Sequence, residues 1–143
     1  MIVKIVNTSN NPLPKYETSG SAGMDVRAFL EEDMTIAPHE HKLVPTGLYV
    51  SLPKGYEMQI RARSGLAYKK GLILPNAPGT VDSDFRGHVH VILANISTET
   101  HTIKNGDRIA QLVFAKYEQV TWEEVEVLDE TERGEGGFGS TGV

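Results

Sequence analysis

The residues best suited to chemistry in this sequence are aspartates, arginines and small polar side chains set among glycines, in five short segments. In Ala22-Gly23-Met24-Asp25 a carboxylate stands beside a glycine turn, where it can hold a metal ion or the metal's water shell. An aspartate in an ordinary surface turn has the same local sequence. In Arg61-Ala62-Arg63-Ser64-Gly65-Leu66, a helix starting at Ser64 would turn its first amides, the serine hydroxyl and Arg63 towards one region of solvent. Helix-end amides beside a forked guanidinium bind anions, and simple capping beside a surface arginine accounts for the residues equally well.

The third segment, Asn76-Ala77-Pro78-Gly79-Thr80-Val81-Asp82-Ser83-Asp84-Phe85-Arg86-Gly87, is dense in turn formers and reads as a β-hairpin loop. Extended there, Asp82 and Asp84 share one face, and an aspartate at a cleft rim can orient a water as a general base. Most aspartate pairs in loops are solvated turn residues, and nothing local overturns that reading. In Gly106-Asp107-Arg108-Ile109-Ala110-Gln111-Leu112 a turn leads into an apolar strand, where the Gln111 amide must find partners or face solvent. The last segment is Arg133-Gly134-Glu135-Gly136-Gly137-Phe138-Gly139-Ser140-Thr141-Gly142. Its glycines and Ser140-Thr141 have the spacing of a phosphate loop without the lysine, and no strand leads into it. Its amides can still wrap an anion, with Arg133 supplying charge and Phe138 a flat ring for a base; a structureless glycine tail is the alternative. His88 and His90 share a strand face and form a weak metal pair without a third ligand at telling spacing.

The elements that must position these side chains are mostly strands. Tyr56, Met58 and Ile60 alternate with Glu57, Gln59 and Arg61; Val89 and Val91 with His88 and His90; Val125 and Val127 with Glu124 and Glu126. Residues 2–6 and 109–114 are short apolar runs of the same kind. Pro38, Pro45, Gly47, Pro53, Gly55, Gly71, Pro75, Gly87 and Gly106 punctuate them, as in a sandwich, barrel or jelly roll. Only Ser64–Lys70 reads as helix, with Ser64 as N-cap and Gly71 at its end. The expected class is all-β and jelly-roll-like with one short helix after Arg63. Residues 1–128 form its single domain, and residues 129–143 a glycine-rich tail that stays mobile until something binds it.

Composition narrows the function. The 143-residue chain has no cysteine, which removes disulfides, thiolate metal sites and a cysteine nucleophile together. A net charge of -5 argues against a nucleic-acid backbone as partner, and a polyanionic ligand would need locally gathered cations or a metal. No run approaches the length of a membrane helix and no secretory leader opens the sequence, so a cytoplasmic protein is expected.

Taken together and in order, AGMDVRA, RARSGLA, GTVDSDFRGHVHV, GDRIAQLVF and RGEGGFGSTG resemble the five motifs of the trimeric dUTPase family, from Ala22 to Gly142. The resemblance implies a jelly-roll homotrimer with sites shared between chains, hydrolysing dUTP to dUMP and pyrophosphate with Mg2+. That activity keeps uracil out of DNA and supplies dUMP for dTMP synthesis. By position it implies that Asp82 activates the water attacking the α-phosphorus, and that Asp25 helps hold hydrated magnesium. Arg63, Ser64, Gly65 and Gln111 would contact phosphates. Asn76, with Gly79 and its neighbours' backbone, would read uracil, and Phe138 would stack on the base. Arg133, Gly139, Ser140 and Thr141 would close over the outer phosphates as a lid.

One position departs from the family pattern: Phe85 stands where most members carry tyrosine, keeping the ring that packs on deoxyribose and losing its hydroxyl. The dCTP deaminases share the implied fold but place a glutamate where this chain has Ile92, and an alkyl group cannot shuttle protons. A non-catalytic nucleotide-binding protein on the same scaffold is the remaining alternative, against which Asp82 and the complete tail both speak.

Overall fold

In the computed structural model, which describes residues 1–137, the period-two pattern becomes alternating burial. The elements are β1 (Lys4–Asn7), β2 (Gly23–Arg27), β3 (Met34–Ile36), β4 (His41–Ser51), β5 (Tyr56–Arg61), α1 (Ser64–Lys70), β6 (Leu72–Ile73), β7 (Gly79–Val81), β8 (Val89–Asn95), β9 (His101–Ile103) and β10 (Arg108–Lys116). Antiparallel pairing arranges them as one four-stranded sheet ordered β1-β4-β8-β6, a second ordered β2-β10-β5-β7, and a small β3-β9 pair. Val89, Val91 and Leu93 of β8 and Val44, Leu48 and Val50 of β4 point inward. They share one core with Val26, Met58, Ile60, Ile109 and Leu112 from the other sheet. Each such side chain contributes roughly 1.5–3 kcal/mol by leaving water. The result is the expected all-β, jelly-roll-like sandwich with one short helix. No helix among the described residues is long and apolar enough to cross a membrane.

Four local expectations need correction. Pro45 and Gly47, which punctuate the sequence, lie inside the eleven-residue β4, where pairing with β8 slips between Pro45 and Leu48. The bulge absorbs Gly47 in a left-handed conformation (φ 73°), and the Thr46 hydroxyl donates to the Val89 carbonyl across it at 2.6 Å. Ser64 is the first residue of α1 rather than its cap; Arg63 occupies the cap in extended conformation with no side-chain capping bond. The helix does stop at Gly71, which is left-handed (φ 61°) and donates its N–H back to Ala67 and Leu66.

Residues 76–87 do not close a hairpin between paired strands. β7 lies at the edge of one sheet beside β5, and β8 lies within the other, so the segment crosses between sheets. Finally, Val125 and Val127 form no strand: beyond β10 the described chain has neither strand nor helix, and both side chains are exposed. Alternation makes a strand only where a neighbouring edge accepts its backbone groups.

The sandwich holds one polar knot. Asn95, 1% exposed at the end of β8, donates to the carbonyls of Ile36 (2.9 Å) and Glu99 (2.7 Å). It accepts from the Ser97 amide (2.9 Å) and hydroxyl (2.8 Å), tying the β3-β9 pair to the sheet. Asn95→Ala would strand these groups and is expected to cost about 3 kcal/mol. Urea unfolding at fixed protein concentration measures this; an unchanged midpoint would contradict it.

Candidate active site

β10 pairs with β2 on one side and β5 on the other, so Gln111 stands opposite both Asp25 and Arg61. This double ladder brings the first, second and fourth segments together. Arg63, two residues past the end of β5, donates Nε–H to Asp25 Oδ1 at 3.0 Å and Nη1–H to the Arg108 carbonyl at 3.1 Å. Arg108 in turn sets Nη1 3.3 Å from Asp25 Oδ2. Gln111 donates through Nε2 to the Ala62 carbonyl at 3.0 Å, which gives its amide a partner within the strand pair. Its Oε1 lies over Gly23, where an added Cβ would stand only 2.5 Å from it, so a larger residue there would push the Gln111 amide aside. Ser64 and Gly65 begin α1 at the surface, with open space where a Gly65 side chain would be.

A second group surrounds a cavity of about 250 Å³, lined among others by Asn76, Gly79, Asp82, Phe85, His88 and Ile92. Gly79 lets the Asn76 amide approach the strand: a Cβ there would stand 3.1 Å from Nδ2 and 3.4 Å from the Ile60 Cβ. Asp82 is exposed and also borders a larger polar space of about 790 Å³ with Lys54, Glu57 and Asp84. The chain turns at Ser83 and Asp84, with the Phe85 amide donating to the Asp82 carbonyl at 3.2 Å, so the two aspartates do not sit on one extended face. Arg86 braces the turn through 2.8 Å bonds from Nη1 to the Ser83 and Phe85 carbonyls. The Phe85 ring folds against Gly87, where a Cβ would meet Cζ at 2.5 Å.

Asp25, Arg63 and Arg108 line other cavities, Arg63 and Arg108 one of about 230 Å³ with Lys70. Arg133, in the tail, donates Nε–H to the Gly136 carbonyl at 2.8 Å and is exposed. Phe138, Gly139, Ser140 and Thr141 lie outside the described residues. Among the described residues no three His, Cys, Asp or Glu side chains cluster to cage a metal. Both Asp25 oxygens already face guanidinium groups. Asp25 is the carboxylate of this group that could take up a hydrated ion, and it does not make a cage by itself.

No sequence signal tells that Arg108 meets Asp25 across β2-β10. His88 and His90, which share a strand face as expected, stand together with ring centroids 4.1 Å apart, and the contacts they make are structural. The Gly47 amide donates to His88 Nε2 at 2.8 Å, plugging the β4 bulge, and the His88 ring stacks on Tyr49 at 5.0 Å. His90 Nδ1 lies 2.9 Å from the His88 carbonyl.

A family model described as dUTPase matches residues 9–142. The deoxyuridine 5'-triphosphate nucleotidohydrolase of Finegoldia magna is 58% identical over 142 residues, covering 99% of both chains. That of Fusobacterium nucleatum is 56% identical over 140 residues, covering 98% of this chain and 96% of its own. A mutant dUTPase of Staphylococcus bacteriophage 80alpha, solved with dUpNHpp, superposes with a TM-score of 0.85 at 27% identity and 99% coverage of each chain.

His88 makes stability depend on pH. Burial, and then repulsion from His90, hold its pKa below the ordinary value, and an Nε2 that accepts the Gly47 amide cannot carry a proton. The unfolded chain, titrating near about 6.5, therefore binds more protons than the folded one just below that pH, and stability rises with pH there. The contribution is complete above about 6.5 and is lost as pH falls towards the depressed folded value. Glu40, held low by the Ala37 amide, acts only at more acidic pH. Urea midpoints between about pH 7.5 and 5.5 should fall for the parent and fall less for His88→Gln; parallel slopes would assign the effect elsewhere.

Proposed function

The chain belongs to the dUTPase family, and from that premise we propose that it splits dUTP into dUMP and pyrophosphate with an Asp82-oriented water. The observation that carries this reading is the cavity in which Asp82 stands with Asn76, Gly79 and Phe85. It offers a carboxylate, an amide, a close backbone approach and an aromatic wall within one nucleoside-sized space. Asn76 and the neighbouring backbone read the uracil edge, and the Phe85 ring packs on deoxyribose and leaves no room for a 2′-hydroxyl. Asp82 accepts the proton of a water aimed at the α-phosphorus, opposite the departing pyrophosphate. Ile92 lines the same cavity, so the deaminase alternative would place an alkyl group where it needs an acid-base group.

Arg63, Ser64, Gly65 and Gln111 receive the phosphates. Asp25 would hold magnesium through water, and the ion, arriving with the triphosphate, would supply positive charge against the phosphates. The nucleoside group and the phosphate group line different cavities of one chain. Assembly as a homotrimer, with each site drawn from several chains, joins them. The exposed apolar side chains of Val120, Trp122, Val127 and Leu128 supply surface for such contacts. The tail, through Arg133, Phe138, Gly139, Ser140 and Thr141, closes over the bound nucleotide and excludes water. In the cytoplasm the reaction would keep uracil out of DNA and supply dUMP for dTMP synthesis.

Pyrophosphate release tested with dUTP, dCTP, dTTP and UTP, with and without magnesium, should show turnover of dUTP alone and only with the metal. Release from dCTP at a similar rate would overturn the uracil assignment. Asp82→Asn should lower kcat by roughly a hundredfold or more while dUpNHpp still binds; near-parent turnover would remove Asp82 from the role. Deletion of residues 133–143 should leave a folded assembly with poor turnover, and full activity would show that the tail is not a lid.

A further inference from the structure

Arg108 closes a three-residue ring, and that ring decides how Arg63 can meet a phosphate. Arg63 Nε is bound to one oxygen of Asp25 (3.0 Å) and its Nη1 to the Arg108 carbonyl (3.1 Å), while Arg108 Nη1 reaches the other Asp25 oxygen (3.3 Å). Of the five guanidinium N–H groups two are used here, and Arg63 Nη2, which carries two of the remaining three, has no protein hydrogen-bond partner among the described residues. The guanidinium is therefore held through Nε and Nη1 and presents Nη2. Arg63 and Asp25 side chains are only 25% and 24% exposed, against 47% for Arg108, so Arg108 forms the solvent-facing member of the ring.

Charge gives the ring a second effect. Asp25 facing a triphosphate alone would repel it, and one guanidinium merely cancels the carboxylate. With Arg108 added, two formal positive charges stand against one negative, and the patch becomes attractive to an anion in a chain whose net charge is -5. Lys70, lining the same small cavity as Arg63 and Arg108, adds to that sign, and Asp107 opposes it.

We infer that Arg108 is a positioning residue for the phosphates of the substrate, acting through Asp25 and Arg63 rather than on the reacting atoms. This rests on the reading of Arg63 and Asp25 as phosphate-side groups given above. Arg108→Ala keeps its backbone carbonyl, so Arg63 retains that acceptor, and only the guanidinium on Asp25 is removed.

The test uses the full-length assembled protein with Arg108→Ala, Arg108→Lys, Asp25→Asn and the Asp25→Asn/Arg108→Ala double variant. Steady-state kinetics with dUTP, calorimetric binding of dUpNHpp and dUMP, and unfolding midpoints are read for each. Arg108→Ala is expected to lower kcat/KM and dUpNHpp affinity by roughly ten- to a hundredfold. Its binding of dUMP, which lacks the outer phosphates, and its unfolding midpoint should stay near the parent's. Arg108→Lys should restore part of the loss, since it returns the charge without the fork. In the Asp25→Asn background, Arg108→Ala should cost clearly less in kcat/KM than it does in the parent, leaving only the part that comes from the charge of Arg108 itself.

Parent-like kinetics in Arg108→Ala, or equal weakening of dUMP and dUpNHpp, would overturn the inference. An undiminished loss in the Asp25→Asn background would also overturn it, because Arg108 would then act alone. Absence of pyrophosphate release by the parent protein itself would instead sink the assigned reaction, and nucleotide binding by the variants would still report on the ring.

Discussion

The candidate site depends first on the pairing of β10 with two partners at once. Gln111 lies opposite Asp25 on β2 and opposite Arg61 on β5, so segments more than eighty residues apart in sequence meet at one level of one sheet. Side chains on a strand alternate faces, and a slip of one residue between β2 and β10 would put Asp25 and Gln111 on opposite faces. The register is therefore held by more than backbone bonds. Ile109 and Leu112 are buried in the core, which fixes the strand's inward face, and Gly23 gives Gln111 Oε1 clearance to lie over β2.

Electrostatics then follow from geometry. An acidic protein can bind a polyanion only where cations are concentrated, and the double ladder concentrates two arginines on one aspartate. Partial exposure of all three side chains screens the interaction with water, so their worth lies in orientation more than in stability. The nucleoside cavity is built differently. Its walls are held by close backbone approach at Gly79 and Gly87 and by Arg86 bonded to its own loop's carbonyls, with little charge beyond Asp82.

Legibility of the sequence followed the range of the forces involved. β5 and β8 could be read directly because a half-buried strand writes its two faces into consecutive residues, and the end of α1 because Gly71 supplies a left-handed cap locally. Pro45 and Gly47 misled because the bulge that tolerates them depends on pairing with β8, far along the chain. The hairpin expected around Asp82 failed for the same reason: turn-forming residues signal a reversal, but which sheet receives the next strand is decided by the core. The contacts of Arg108 with Asp25 and of His88 with Gly47 could not be read, since the partners are remote in sequence. Membership in a family was legible because it rests on the order of five local segments, while the geometry joining them is not local.

A single chain gathers the Asp82 cavity and the Asp25-Arg63-Arg108 ring, yet these border different spaces. A triphosphate nucleotide is one rigid demand: base, sugar and phosphates must be met together. On the proposed reading, two incomplete halves on one surface would become complete when copies meet, and symmetry would then complete every site at once. The chain beyond β10 fits the same logic. It carries exposed Trp122, Val127 and Leu128 away from the sheets of its own barrel, and such apolar surface gains most by lying against another copy. Delivered that way, Arg133 and the residues after it would reach a site their own barrel does not supply, and closure of the pocket would be tied to assembly rather than to the folding of one chain.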